Sequence, residues 1–492
     1  MREPSVLKYW EIILIVSLPV ICLLQIVLLP PTQLGAGLGY DGVWYFKPSV
    51  DLFSRIDNYH LFRIFPSALV FAARKALGLN DSIDTTVRLF QWLNFILLLG
   101  SISFFLKIRQ LFRYKTAQSL AFFVFVFLNF TFLKESVYNP IMTESTSIFI
   151  SLGLIYFYYN KQNGMLALFL LLALFTLPII SLFFFLYRIL EKATDYSDNP
   201  EVSSLFDRYY FLVPLSVCLL FGGISAVIVF YLGYTTIYTF PDSIHVPTFP
   251  LVILINSTFI YLMIKRFRIF FEKLFLQIRT FRVLLLQKWT LYFFLFFVLQ
   301  MIVSKVNNYH LLGYGSLMVG YPIYINLKPL IGLVDNLSFY GPVIFVFLIY
   351  FFQNKGQKFK LSDWFLQFIF MFIIIKPEAR ATLFLLPFIA LFLVEKIDFT
   401  SWSNQNQIWL GLMGLFFSKF WFPVHWAQFP PGHLLFSPET DQAIYQQFPA
   451  QFYFMFQGIM VSYGNYFITV GLEIIAGLIL YRMMKNKANP LA

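Results

Sequence analysis

Charge is what this sequence has least of: Asp, Glu, Lys and Arg make up 12% of its 492 residues, against 59% hydrophobic and 21% aromatic. A mean hydropathy of +0.72 leaves too little polar surface to cover a water-soluble core, which excludes a soluble globular fold and leaves a chain built for lipid. Cysteine is nearly missing too. The two present, Cys22 and Cys218, lie inside apolar runs, so neither a disulfide framework nor a cysteine metal site is suggested. No phosphate-cradling P-loop and no G-x-S-x-G nucleophile elbow occurs. His60, His245, His310, His425 and His433 lack metal-ligand spacing and read as loop or interface residues, so the sequence indicates no metal or other cofactor and leaves a divalent metal open. Internal repeats, low-complexity tracts and any soluble domain longer than a loop are also missing. The net charge of +12 does not point to nucleic acid, because the basic residues fall in short segments between apolar runs, as cytoplasmic loops recruit them.

What is there is a series of apolar runs. About 20 helical residues cross a hydrocarbon core about 30 Å thick. By that measure and by Pro and Gly punctuation, spans fall near 12–29, 87–106, 117–133, 145–159, 164–176, 178–190, 211–232, 249–264, 289–303, 337–352, 364–375, 382–394, 407–421 and 465–481. The expected fold is all-α and integral to the membrane: one polytopic domain over 1–492, a bundle of about 11–14 transmembrane helices with a long first outer loop. The first run ends in Leu29-Pro30-Pro31 without a small-residue cleavage site, so it reads as an uncleaved span rather than a signal peptide. Gly164 to Leu190 is either one long helix or two helices turning at Thr176-Leu177-Pro178. Loop charge decides for two, because the segment from Lys265 to Lys288 carries seven basic residues against Glu272 and belongs in the cytoplasm. With a cytoplasmic N-terminus, the loops 30–86, 304–336 and 422–463 and the turns 134–144 and 376–380 then face outward. Phe62 to Leu77 has the spacing of an amphipathic helix lying in the interface, and 265–288 is its cytoplasmic counterpart, facing anionic lipid.

Candidate chemistry gathers in those outer loops. Asp41 stands among Gly35, Gly37, Gly39 and Gly42, a setting that suits a tight turn presenting a carboxylate and equally suits a solvated turn aspartate. Tyr40, Trp44 and Tyr45 offer aromatic faces beside it. Glu144 opens the fourth span, where it either serves a site or complements the helix dipole; Glu135 is a weaker candidate one short loop away. Arg380 lies in a turn with Lys376 and Glu378, its guanidinium either gripping a phosphate or pairing with Glu378 and snorkelling. Arg63 has the same two roles open, phosphate or helix anchor.

These residues carry a resemblance. Gly39-Tyr40-Asp41-Gly42-Val43-Trp44-Tyr45 just past the first span, then Asp57-Asn58 and Arg63-Ile64-Phe65-Pro66, resembles bacterial members of the GT-C superfamily of multispanning glycosyltransferases. That superfamily includes protein O-mannosyltransferases and lipid A aminoarabinose transferases, and takes sugar from a polyprenyl-phosphate carrier. The specific match covers about residues 1–80. The resemblance implies an inverting transfer to an acceptor at the outer face of a bacterial inner membrane, with Asp41 catalytic. Tyr40, Trp44, Tyr45, Arg63, Glu144 and Arg380 would bind substrate, and the expected partners are a polyprenyl-phosphate-sugar donor, membrane lipids and an acceptor of unspecified class. Lys47-Pro48-Ser49 departs from the family pattern, which continues with Ile-Ala and an acidic residue, and leaves the contacts just after the motif open.

Overall fold

A computed structural model describes residues 9–29, 42–54, 58–141, 143–191, 249–279, 328–354, 359–376, 379–421 and 463–485, with isolated positions between. Among the described residues there is no strand. The expected spans 211–232 and 289–303, apart from isolated positions, and the loop 422–463 lie outside them.

The helices follow the apolar runs closely. The first helix, α1 (Tyr9–Leu28), is followed by α2 (Gly42–Val50), α3 (Asn58–Leu61) and α4 (Phe65–Leu77). Pro66 starts α4, and Gly78 ends it in the left-handed region at φ 61, its N–H closing on the carbonyls of Arg74 and Lys75. The 30-residue α5 (Ile83–Phe112) begins at Ser82, whose side chain accepts the Thr85 N–H. Next come α6 (Thr116–Phe127), a π-helical turn (Thr131–Glu135), the short α7 (Ser136–Tyr138), α8 (Glu144–Tyr159), α9 (Asn163–Leu174) and α10 (Pro178–Glu191). The run 164–190 is thus two packed helices, as the loop charge requires. The second half holds α11 (Phe249–Arg266), α12 (Arg268–Arg279), α13 (Ile331–Tyr340), α14 (Pro342–Gln353), α15 (Leu361–Ile374), a 3-10 turn (Ala379–Leu385), α16 (Leu386–Lys396), α17 (Asn404–Ser418) and α18 (Tyr463–Lys485). The single run expected at 337–352 is broken at Gly341, where φ is +50 and any Cβ would come within 2.6 Å of Phe417.

Among the described residues, three helical segments are long and apolar enough to cross a membrane: Glu11–Leu28, Ile83–Phe112 and Tyr466–Lys485. The count rises to five if each of two bent pairs is one span, Thr116–Phe127 with Thr131–Tyr138 and Pro250–Arg266 with Arg268–Leu274. Other expected spans are shorter helices such as α9, α14 and α15. On α1 and α18 large apolar side chains point outward, Leu28 70% and Ile468 64% exposed, a surface suited to hydrocarbon.

Tertiary contacts sort the helix ends into two groups. At one end Arg109 pairs with Glu11 at 3.4 Å, Asp363 with Lys396 at 3.0 Å, and Arg266 donates to the carbonyls of Phe351 and Asn354. At the other, Arg88 donates to the Ile26 carbonyl, the Phe65 N–H to the Phe175 carbonyl, and Tyr466 to the Pro329 carbonyl. The described basic residues Arg109, Arg266 and Lys396 thus lie toward one group of helix ends, and the described residues of 42–82 toward the other, with those of the turns near 136–141, 175–177 and 379–382. Between them lies a core of interlocked rings. Phe105, for example, meets Phe122, Phe123 and Phe127 with centroids 5.5 to 6.0 Å apart, the geometry that favours aromatic pairs beyond simple burial.

Candidate functional site

The site is built from α2 outward. Gly42, its first residue, is buried against the turn before α8: a Cβ there would stand 3.2 Å from Leu38 Cβ and 3.5 Å from Ile141 Cβ. Leu38, Tyr45, Val70, Val87, Phe90 and Ile141 close over this contact as a small separate core. The residue that follows Asp41 in the chain is thereby packed three positions before Glu144. Tyr40 and Asp41 themselves lie outside the described residues.

Past Gly42 the helix presents Trp44, Tyr45 and Lys47. Trp44 is half-exposed and stacks on His60, with centroids 5.3 Å apart and rings 20° from parallel. The Lys47 ammonium lies 4.8 Å from the centre of its ring. Tyr45, expected to offer a face to substrate, is buried instead; it meets His60 edge-on at 5.4 Å, and its hydroxyl accepts a hydrogen bond from Arg63 Nη1 at 3.3 Å. Its carbonyl accepts from Ser67 Oγ, tying α2 to α4. Arg63 precedes α4 rather than lying on it, because Pro66 sets the helix start at Phe65. Arg74, on the helix expected to lie in the interface, is fully buried, pairing with Asp81 and donating to Thr86. The ion pair and the hydrogen bond offset part of the cost of burying this guanidinium.

Glu144 opens α8, half-buried. The turn leading to it is held by α5, where Asn94 donates to the carbonyls of Ser136 and Pro140 and Gln91 to that of Val137. Glu135 is buried in the π-helical turn and accepts from Thr131 at 3.2 Å. The backbone of Arg380 lies in the 3-10 turn Ala379–Leu385, which packs on α8, α13 and α15; its side chain, with Glu378, falls outside the described residues. Asn336 clamps that turn. Its amide donates to the Ile374 and Lys376 carbonyls, and its oxygen accepts from Thr382 at 2.6 Å. Beside it Gly332 sits so close that any side chain would overlap the Ile375 carbonyl. Trp44, Tyr45, Arg63, Glu144 and the Arg380 turn therefore share one end of the bundle, where α5 packs on α2, α4 and α8, and α8 on the Arg380 turn.

Sequence reasoning missed other buried ionisable residues. Lys328, Asp335, Lys419 and Glu473 are all buried, Lys328 and Asp335 by the start of α13 and Glu473 mid-way along α18. Ser338 donates to Glu473 at 3.0 Å, and the Lys419 ammonium lies 5.6 and 5.8 Å from the rings of Phe339 and Phe130. Burial lowers the Lys328 ammonium to about 8, with Asp335 opposing the shift. The signal that could have found them was plain: Glu473 stands mid-way along an apolar run, and ionisable groups in such runs mark function by default. Among the described residues, no group of three or more His, Cys, Asp or Glu is placed to hold a metal ion. The chain matches no family model, and no curated protein or solved structure is similar to it.

Proposed function

We propose that the protein is a polytopic, GT-C-like membrane glycosyltransferase of the bacterial inner membrane. It transfers a sugar from a polyprenyl-phosphate carrier to an acceptor at the outer face, with the basic loops in the cytoplasm. The observation that supports this reading is the convergence at one end of the bundle of the stretch beginning at Gly42, the start of α8 at Glu144, and the turn bearing Arg380. In the reaction, the acceptor oxygen or nitrogen attacks the anomeric carbon as its proton passes to Asp41. The bond from that carbon to the phosphate oxygen breaks on the opposite face, its electron pair leaving with the carrier phosphate. Arg63 and Arg380 hold the charge that develops there, as paired guanidinium forks suit a phosphate. Glu144 orients the sugar or the acceptor. A membrane preparation given a labelled polyprenyl-phosphate sugar tests the proposal, which requires label in an acceptor and loss of that label on Asp41→Asn.

A second reading has its own support. Glu473, Lys419 and Asp335 are buried ionisable groups along or beside apolar helices, as expected of a transporter or flippase of lipid-linked sugars. The same preparation separates the two, since a transporter moves the labelled lipid between leaflets and leaves it chemically unchanged.

A further inference from the structure

His60 joins the aromatic members of the outer cluster. It is 8% exposed and lies in the single-turn α3 between α2 and α4, with the Trp44 indole stacked on its ring and the Tyr45 phenol against it edge-on. What it adds is a rigid link. Arg63 is bonded to Tyr45, Tyr45 abuts His60, His60 stacks on Trp44, and Lys47 lies against Trp44. Beyond His60, Trp44 remains 38% exposed with the Lys47 ammonium at its ring, and Arg63 stands at the other end of the series. An aromatic ring binds a pyranose through its face and does so best when its own torsions are already fixed, since freezing a loose side chain subtracts from affinity.

We propose that His60 is a positioning residue of a carbohydrate platform: it locks the Trp44 indole as the surface on which a pyranose ring rests, and through Tyr45 sets that surface at a fixed separation from the Arg63 guanidinium. The inference rests on the glycosyltransferase reading for its physiological ligand, while the platform is testable with simple sugars.

The test uses the full chain in lipid nanodiscs and the fluorescence of Trp44, taken as the parent signal minus that of Trp44→Phe, titrated with methyl hexopyranosides. The parent should show a saturable change with at least one of them. His60→Ala, which frees the indole, should weaken that binding roughly three- to tenfold, the worth of one aromatic pair. His60→Phe, which keeps the stack, should stay close to the parent, and this rescue also covers the case in which the alanine variant fails to fold. In the transfer assay, His60→Ala should raise KM for the sugar donor by the same factor with kcat little changed. Sugar binding unaffected by His60→Ala, or lost equally in His60→Phe, overturns the positioning role and leaves the glycosyltransferase reading intact. Transfer activity with no pyranoside-dependent Trp44 signal overturns the platform alone, and the lack of both signal and transfer overturns both.

Discussion

The clamp at Asn336 offers the sharpest test of how the site is held. Asn336 is fully buried, and beyond the bond to Gly332 within its own helix it makes three that cross to other segments: to the carbonyls of Ile374 and Lys376, and from the Thr382 hydroxyl. Asn336→Leu keeps the volume but strips partners from two carbonyls and one hydroxyl. Side-chain hydrogen bonds inside membrane proteins average about 0.6 kcal/mol each, which sets a floor of about 2 kcal/mol for three. At about 2 kcal/mol for each buried group left unpaired, the ceiling is about 6 kcal/mol. Thr382→Val removes only the last bond, leaving the Asn336 oxygen without that donor, and should cost about 1–2 kcal/mol. Because the clamp fixes the turn that carries Arg380, the leucine variant should also lose donor use out of proportion to any loss of folded protein. Unfolding in a defined detergent, followed with transfer activity on the surviving fraction, measures both. If Asn336→Leu unfolds like the parent, or if Thr382→Val is as damaging as Asn336→Leu, the clamp is not what positions the turn.

Further outcomes follow from the same geometry. Cysteine probes at the exposed Phe53 and Asn80 should react with a membrane-impermeant reagent from outside, while probes at Gln162 and Gln405 should react only after permeabilisation; the reverse pattern would invert the bundle. Asp41→Asn should lower turnover by about 10²–10⁴ with donor binding much less affected, and Asp57→Asn should be milder; a larger loss at Asp57 or Glu144 would move the reacting centre. Arg380→Lys keeps the charge but loses the two-pronged fork, so donor use should fall while membrane insertion, followed by fractionation, stays normal; unchanged donor use would favour pairing with Glu378 or snorkelling.

Much of the fold was legible in the sequence because helix boundaries are local. Apolar run length, Pro66 ahead of α4, Gly78 after it, and Thr176-Leu177-Pro178 between α9 and α10 fix where helices begin and end through backbone preferences acting within a few residues. Loop charge likewise gave the order in which helix ends alternate, since it depends only on which short segments carry Lys and Arg. The candidate residues of the first loop and of α8 were readable for the same reason, as an aspartate among glycines and a glutamate at the head of an apolar run.

Tertiary structure decided what depends on partners distant in the chain. That Gly341 must be a glycine comes from Phe417, and that Gly332 must be comes from the Ile375 carbonyl; neither neighbour is near in sequence. Arg74 looked like an interfacial cation until Thr86 and Asp81 enclosed it, and His60 looked like a loop residue until Trp44 and Tyr45 closed on its ring. Lys419 and Glu473 stand far apart in the chain along apolar runs, and the folding of α13, α17 and α18 together buries both. Periodicity and punctuation report how a segment treats its own backbone and one of its faces. Which side chains share a buried space is set by the packing of helices hundreds of residues apart, a choice written in the complementarity of shapes and charges across them and in no single stretch of sequence.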